Sequence, residues 1–81
     1  MEGIFCEIRP MIAKRLRKDE SQIRLESNFR LDLGADSIDL VELVMSLENH
    51  YNVEFDDDRV EAIATVAEAV SYVQQLLAAQ A

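Results

Sequence analysis

Residues 37–51 have the sequence SIDLVELVMSLENHY, and their apolar side chains recur at the spacing of an α-helix. On a helical wheel with about 100° per residue, these side chains divide between two faces. The broader face carries Leu40, Leu43, Val44, Leu47 and Tyr51. The opposite face carries a narrower apolar stripe of Ile38, Val41 and Met45, flanked by Glu42 and Glu48. We call these three apolar residues the helix stripe.

The helix stripe has two interpretations. A helix in a small domain needs only one apolar face for its core, so a second face rimmed by carboxylates favours docking of a partner. The carboxylates would then steer basic partners toward the stripe. The alternative is that the preceding loop covers Ile38 and Val41.

Two apolar patterns before and after this stretch predict further helices. Residues 3–17 are amphipathic, and Pro10 is expected to cause a kink or a frayed start near Cys6. A last helix is expected over residues 66–78, with Thr65 and Glu68 forming its capping box.

The remaining segments predict a short helix and a long loop. The short helix is expected within residues 56–63. Residues 18–36 lack a helical period and are expected to form a loop, with Gly34 in the positive-φ turn at its end. The apolar residues expected to pin this loop to the core are Ile23, Leu25, Phe29, Leu31 and Leu33. The predicted fold is therefore all-α: a small antiparallel four-helix bundle with three longer helices, one short helix and a long loop between the first two.

Length and composition limit the function classes. The 81 residues are enough for one domain, residues 1–81, and leave little room for an enzyme cleft. The net charge of −8 opposes nucleic-acid binding, and residues 35–81 hold one basic residue against ten acidic ones. One cysteine excludes an internal disulfide and a four-cysteine zinc site, and Cys6 is expected to fill the core. With no metal-binding pattern, no long apolar run and no targeting segment evident, we expect a soluble, cytoplasmic protein without membrane insertion.

Ser37 is the most notable polar residue. It follows the Gly34 turn, lies between Asp36 and Asp39, and stands at the start of the predicted helix. A helix N-terminus favours an anion such as a phosphate, yet the spacing alone favours simple capping of the helix by Asp36 or Ser37.

The segment DLGADSIDLVELVM, residues 32–45, closely resembles the phosphopantetheine attachment segment of acyl carrier proteins, in particular the free-standing carrier of type II fatty acid synthesis. The resemblance extends over essentially the whole chain. It implies a monomeric carrier without catalysis of its own. A phosphopantetheinyl transferase would use coenzyme A and Mg²⁺ to attach 4′-phosphopantetheine to Ser37 through a phosphodiester.

The resemblance also implies roles for neighbouring residues. Asp36 would assist attachment at the metal site of the transferase. Fatty acid synthase enzymes and acyltransferases with basic docking patches would bind the face formed by Ile38, Asp39, Val41, Glu42, Met45 and Glu48. Growing acyl chains would be sheltered in the bundle interior beside this helix.

The sequence departs from the usual carrier pattern at two places, and two alternative functions remain open. The sequence has Asp-Ser-Ile where Asp-Ser-Leu is commoner, and the proline usual before the short helix is replaced in the run from Phe55 to Asp57. Carriers of polyketide or other specialised pathways share the same attachment helix. A chain of a different class, an acidic helical adaptor without a prosthetic group, would use only the helix stripe and its carboxylates.

Overall fold

The structure, a computed structural model, describes residues 2–80 and contains four α-helices within them. They are α1 (Glu2–Leu16), α2 (Ser37–Tyr51), α3 (Asp57–Ala62) and α4 (Val66–Gln80). A short 3₁₀ helix at Glu20–Gln22 lies in the loop between α1 and α2. The architecture is the predicted one of three longer helices, one short helix and a long first loop.

The core lies where α1 packs against α2 and α4. Its fully buried side chains come from three helices and the long loop: Ile8, Ile12, Ile23, Phe29, Leu47, Val66, Val70 and Val73. A hydrogen bond of 2.6 Å from the Tyr51 hydroxyl to the Glu7 carboxylate also joins α2 to α1. Burial, together with this bond to a carboxylate, raises the pKa of Tyr51, so the hydroxyl stays protonated and keeps donating.

Helix α1 runs without interruption through Pro10, so the predicted fraying near Cys6 is wrong. Proline has no N–H and leaves the carbonyl four residues back without its helical donor. Cys6 and Pro10 are both exposed, so that carbonyl lies on the face where water can satisfy it. The exposure of Cys6 also corrects its expected core position: it lies about 200° around the helix from the buried Ile8.

The long loop is pinned to the core by most of the predicted residues, but not by Leu31. Ile23, Phe29 and Leu33 are buried, and Leu25 packs partly buried against the core. Leu31 is 85% exposed. The side-chain oxygen of Asn28 accepts hydrogen bonds from the N–H groups of residues 30 and 31, which closes a tight turn and leaves Leu31 on its outer side.

The loop is also joined to the start of α4 by backbone hydrogen bonds. Asn28 and Thr65 form an isolated antiparallel bridge. The N–H of Phe29 donates to the carbonyl of Ala64 at 2.9 Å, and the N–H of Ala67 donates to the carbonyl of Leu25 at 2.8 Å. The segment before α2 is therefore held by contacts distant in sequence.

The predicted capping box of α4 is confirmed. The N–H of Thr65 donates to the Glu68 carboxylate at 3.0 Å, and the N–H of Glu68 donates to the Thr65 hydroxyl at 3.3 Å. Hydrogen bonds from the N–H groups of Ala64 and Thr65 lower the pKa of Glu68, because they stabilise its ionised form.

Helix α3 begins without a proline. Asp56 is its N-cap, and the Asp56 side chain accepts from the N–H of Asp58 at 2.9 Å. The N–H of Asp56 donates to the hydroxyl of the buried Tyr72 at 2.8 Å, while the Tyr72 ring contacts Phe55 edge to face. These contacts fix the start of α3 on α4.

Within residues 2–80, no helix combines the length and the apolar character needed to cross a membrane.

Candidate functional site

A capping box made by two aspartates opens α2. The N–H of Asp39 donates to Oδ1 of Asp36 at 2.8 Å, and the N–H of Asp36 donates to Oδ2 of Asp39 at 3.2 Å. Gly34 precedes the cap with φ of +68°, and a side chain there would be strained by this backbone conformation rather than by crowding. The turn therefore directs the chain into α2 with Asp36 as N-cap.

The Ser37 hydroxyl takes no part in this cap. Ser37 is the first residue of α2 and is exposed, and its Oγ accepts a hydrogen bond of 3.4 Å from Nη2 of Arg30. Of the two capping residues that spacing allowed, the structure selects Asp36. The Ser37 hydroxyl thus stands at the positive end of the helix dipole, open to a reagent from solution.

The two flanking aspartates differ in accessibility. Asp36 is exposed, and its bond to the N–H of Asp39 uses only one of its two carboxylate oxygens. Asp39 is half-buried, and its carboxylate already accepts from the N–H of Asp36. Asp36 is thus the carboxylate better placed to reach an ion outside the protein.

The helix stripe is exposed. Ile38, Val41 and Met45 are 68%, 56% and 55% exposed, so the interpretation in which the loop covers the first two is wrong. The opposite face of α2 packs inward, with Leu43 and Leu47 buried. The predicted division of residues 37–51 into a core face and an opposite apolar face is therefore confirmed. The docking role of the helix stripe stays a prediction.

The carboxylates beside the stripe make contacts that the wheel could not show. Glu42 forms an ion pair with Arg15 of α1 at 2.6 Å, with both side chains still substantially exposed. Glu48 is half-buried, and its carboxylate accepts from the N–H of Phe55 at 2.8 Å. Glu48 therefore stabilises the connection between α2 and α3, whatever contact it makes with a partner.

The ion pair predicts that Arg15 competes with basic partners for Glu42. The Arg15→Gln variant should associate faster with a basic partner, by about 1.5- to 5-fold, which corresponds to the strength of an exposed ion pair. Stopped-flow association at low salt measures this rate. Lys18→Gln is the matched control, because it removes the same charge from beyond the end of α1 where no ion pair with Glu42 exists. Equal rates for both variants would contradict the competition.

An acidic surface surrounds the site. Residues 35–81 contain Arg59 as their one basic residue, and its guanidinium lies 4.5 Å over the Tyr72 ring and bonds Gln75 on α4. Among the described side chains, those of residues 3–80, no group of three or more His, Cys, Asp or Glu is close enough to hold a metal ion. Apart from Glu42, which pairs with Arg15, the carboxylates of this half therefore depend mainly on mobile counterions for neutralisation.

Screening of this acidic half should stabilise the fold. Raising ionic strength from about 0.01 M to about 0.5 M shortens the Debye length from roughly 30 Å to under 10 Å, so the melting temperature should rise. Thermal melts in sodium chloride and in magnesium chloride at equal ionic strength separate screening from a specific site. Screening predicts similar melting temperatures in the two salts, whereas a melting temperature indifferent to either salt would contradict it.

Two residues near Ser37 were not predicted as part of the site. Arg30 contacts the Ser37 hydroxyl, and Leu31 is exposed on the same turn. The available signal was a basic residue seven positions before the serine. No periodicity links Arg30 to Ser37, because the loop between these two residues has no regular structure.

Comparisons with known proteins agree with this geometry. A family model described as "Phosphopantetheine attachment site" matches residues 6–73. The fold is similar to the crystal structure of an acyl carrier protein from Thermotoga maritima, with a TM-score of 0.86 and 24% sequence identity over 99% of this chain and 93% of that one. The chain thus belongs to the phosphopantetheine attachment family, non-catalytic carriers that hold 4′-phosphopantetheine covalently.

Proposed function

We propose that this protein is an acyl carrier of fatty acid biosynthesis and that its prosthetic group is attached to Ser37. The observation that carries the proposal is that the helix cap at the start of α2 is formed by Asp36 and not by Ser37. Asp36 caps the helix, so the adjacent Ser37 hydroxyl is left exposed and outside the cap. A serine needed only for capping would not have this geometry.

The residues at the start of α2 fit a phosphodiester. The group carries one negative charge, and the positive end of the helix dipole and the Arg30 guanidinium both favour an anion there. A groove of about 230 Å³ opens beside Ser37, lined in part by Arg30, Val41 and Val60. The groove leaves room for a substituent on the hydroxyl without displacing the cap.

Attachment at this position is a phosphoryl transfer from coenzyme A. The Ser37 oxygen forms a bond to phosphorus and releases its proton to the solvent, the pyrophosphate bond of coenzyme A breaks, and adenosine 3′,5′-bisphosphate leaves. Asp36 would contribute its exposed carboxylate to the Mg²⁺ site of the transferase, where the metal offsets the charge of the reacting phosphates. Once bound, the arm supplies a thiol that carries acyl groups as thioesters.

The bundle interior beside α2 supports the proposed shelter for acyl chains. A small apolar cavity of about 30 Å³ lies there, lined by residues that include Phe29, Leu43, Leu47, Phe55 and Ile63. This volume is far below the roughly 300–1,000 Å³ of pockets that enclose a drug-sized ligand. A longer acyl chain would therefore enter only if α2, α3 and the loop move apart.

The helix stripe supports docking of synthase enzymes, acyltransferases and the transferase. Its apolar centre and the nearby Glu42, Glu48 and Asp39 fit a basic patch with an apolar middle. We also propose, from the resemblance of the whole chain to free-standing carriers, that the protein acts in the cytoplasm as a monomer. The acidic α2 and the close resemblance of residues 32–45 favour fatty acid synthesis over a polyketide or other specialised pathway.

Intact-mass spectrometry after incubation with coenzyme A, Mg²⁺ and a broad-specificity transferase tests the proposal. One phosphopantetheine per chain is expected. No addition would leave the acidic adaptor as the better interpretation. The loaded protein should then accept malonyl groups from the transacylase of fatty acid synthesis, whereas acceptance only from a polyketide enzyme would favour the specialised pathway.

A further inference from the structure

Arg30 is held in place next to Ser37 by its backbone. Its N–H donates to Oδ1 of Asn28 at 3.0 Å. The preceding Phe29 is buried, and its N–H and carbonyl bond Ala64 and Ala35 at 2.9 and 2.8 Å. The backbone of Arg30 is therefore held in place by hydrogen bonds, and its side chain contacts the Ser37 hydroxyl from this ordered position.

The guanidinium of Arg30 is paired with none of the described carboxylates, although the protein is acidic. Among the side chains of residues 3–80, the only ion pair within 4 Å joins Arg15 and Glu42, so Arg30 has none of their carboxylates at that distance. Glu61 lines the same groove as Arg30 and Ser37 but does not come within ion-pair distance. The guanidinium contacts instead an uncharged hydroxyl at 3.4 Å, and most of its five N–H donors are left for another acceptor.

We propose that Arg30 is a positioning residue that binds the phosphodiester of the attached arm. The inference rests on the proposed attachment at Ser37. Attachment of the arm places the phosphorus one bond, and the other phosphate oxygens two bonds, beyond the Ser37 oxygen that Arg30 already contacts. Guanidinium groups bind phosphates through parallel N–H donors, which fixes orientation as well as charge. Arg30 thus restrains the base of the arm against the loop.

The test compares unmodified and modified protein for the wild type, Arg30→Gln and Arg24→Gln. Arg24 is an exposed arginine of the same loop whose substitution changes the net charge equally, which makes it the matched control. The ³¹P resonance of the phosphodiester should shift in R30Q relative to the wild type and stay unchanged in R24Q. The change in melting temperature on modification should be less favourable in R30Q than in the wild type by about 2–5 °C, and unaffected in R24Q.

The outcomes separate this inference from the proposed function. Modification of Ser37 in all three proteins, with the same ³¹P shift and the same melting difference in R30Q as in the wild type, would overturn the role of Arg30 alone. Failure of the wild type to be modified would overturn both. Should the transferase leave R30Q unmodified, Arg30→Lys allows the same comparison. Lysine retains the charge but lacks the parallel donors, so the phosphodiester of modified R30K should have a ³¹P resonance different from that of the wild type. An identical resonance would overturn the inference.

Discussion

The Ser37→Ala variant should gain no phosphopantetheine under conditions that modify the wild type completely. Alanine removes the oxygen that forms the bond to phosphorus, and no other serine of the chain lies at the start of a helix beside Asp36. Intact-mass spectrometry of both proteins after incubation with coenzyme A, Mg²⁺ and a transferase gives the result directly.

This loss should occur without loss of folding. The Ser37 hydroxyl does not cap α2, so its removal should change the free energy of unfolding by no more than about 0.5 kcal/mol. Asp36→Ala removes the cap itself and should cost about 0.5–2 kcal/mol. Ser46→Ala is the control for loading, because Ser46 lies on the same helix and should leave modification intact. Addition of the group to the Ser37→Ala variant would overturn the proposed site.

The second large effect is expected in the core face of α2. Leu47 is 1% exposed, and Leu47→Ala should lower the free energy of unfolding by roughly 2–5 kcal/mol through lost burial and a residual cavity. That is a large part of the 5–15 kcal/mol typical of a small domain. Met45 lies two residues away and is 55% exposed, so Met45→Ala should lower the free energy of unfolding by less than about 1 kcal/mol. Thermal and urea unfolding of both variants measure the difference.

The same pair of variants also tests the docking face. Met45→Ala should slow transfer of the arm by the transferase or of acyl groups by a synthase enzyme, although the variant remains folded. Reversal of Glu42 to lysine should slow the same reactions further, and added salt should slow the wild type. If Met45→Ala unfolds as readily as Leu47→Ala, then Met45 belongs to the core and the helix stripe is not a surface.

The helices could be predicted because their apolar spacing is local. In α2 the helical period alone places Leu43 and Leu47 on one face and Val41 and Met45 on the opposite face, although only the structure shows that the second face is exposed. The capping box at Thr65 is equally local, since its two partners lie three residues apart. Such features need no knowledge of the rest of the chain.

The errors arise where tertiary structure decides. Leu31 has the same residue type as its buried neighbour Leu33, and only the turn closed by Asn28 places it outside. Cys6 is apolar and lies among apolar residues, but the face that α1 presents to α4 and α2 excludes it. The engagement of Glu42 by Arg15 joins residues 27 positions apart, which no pattern of spacing can show.

The backbone bonds between the long loop and the start of α4 affect when the site can form during synthesis. A nascent chain leaves the ribosome from its N-terminus, so Ser37 emerges well before residues 64–67. Until those residues follow, the N–H of Phe29 has no acceptor at Ala64, and the turn that presents Arg30 lacks its anchor. Contacts between distant parts of a chain form late because closing the intervening segment costs entropy. A transferase that requires the ordered loop would therefore pass over growing or truncated chains and select molecules whose folding has already reached α4.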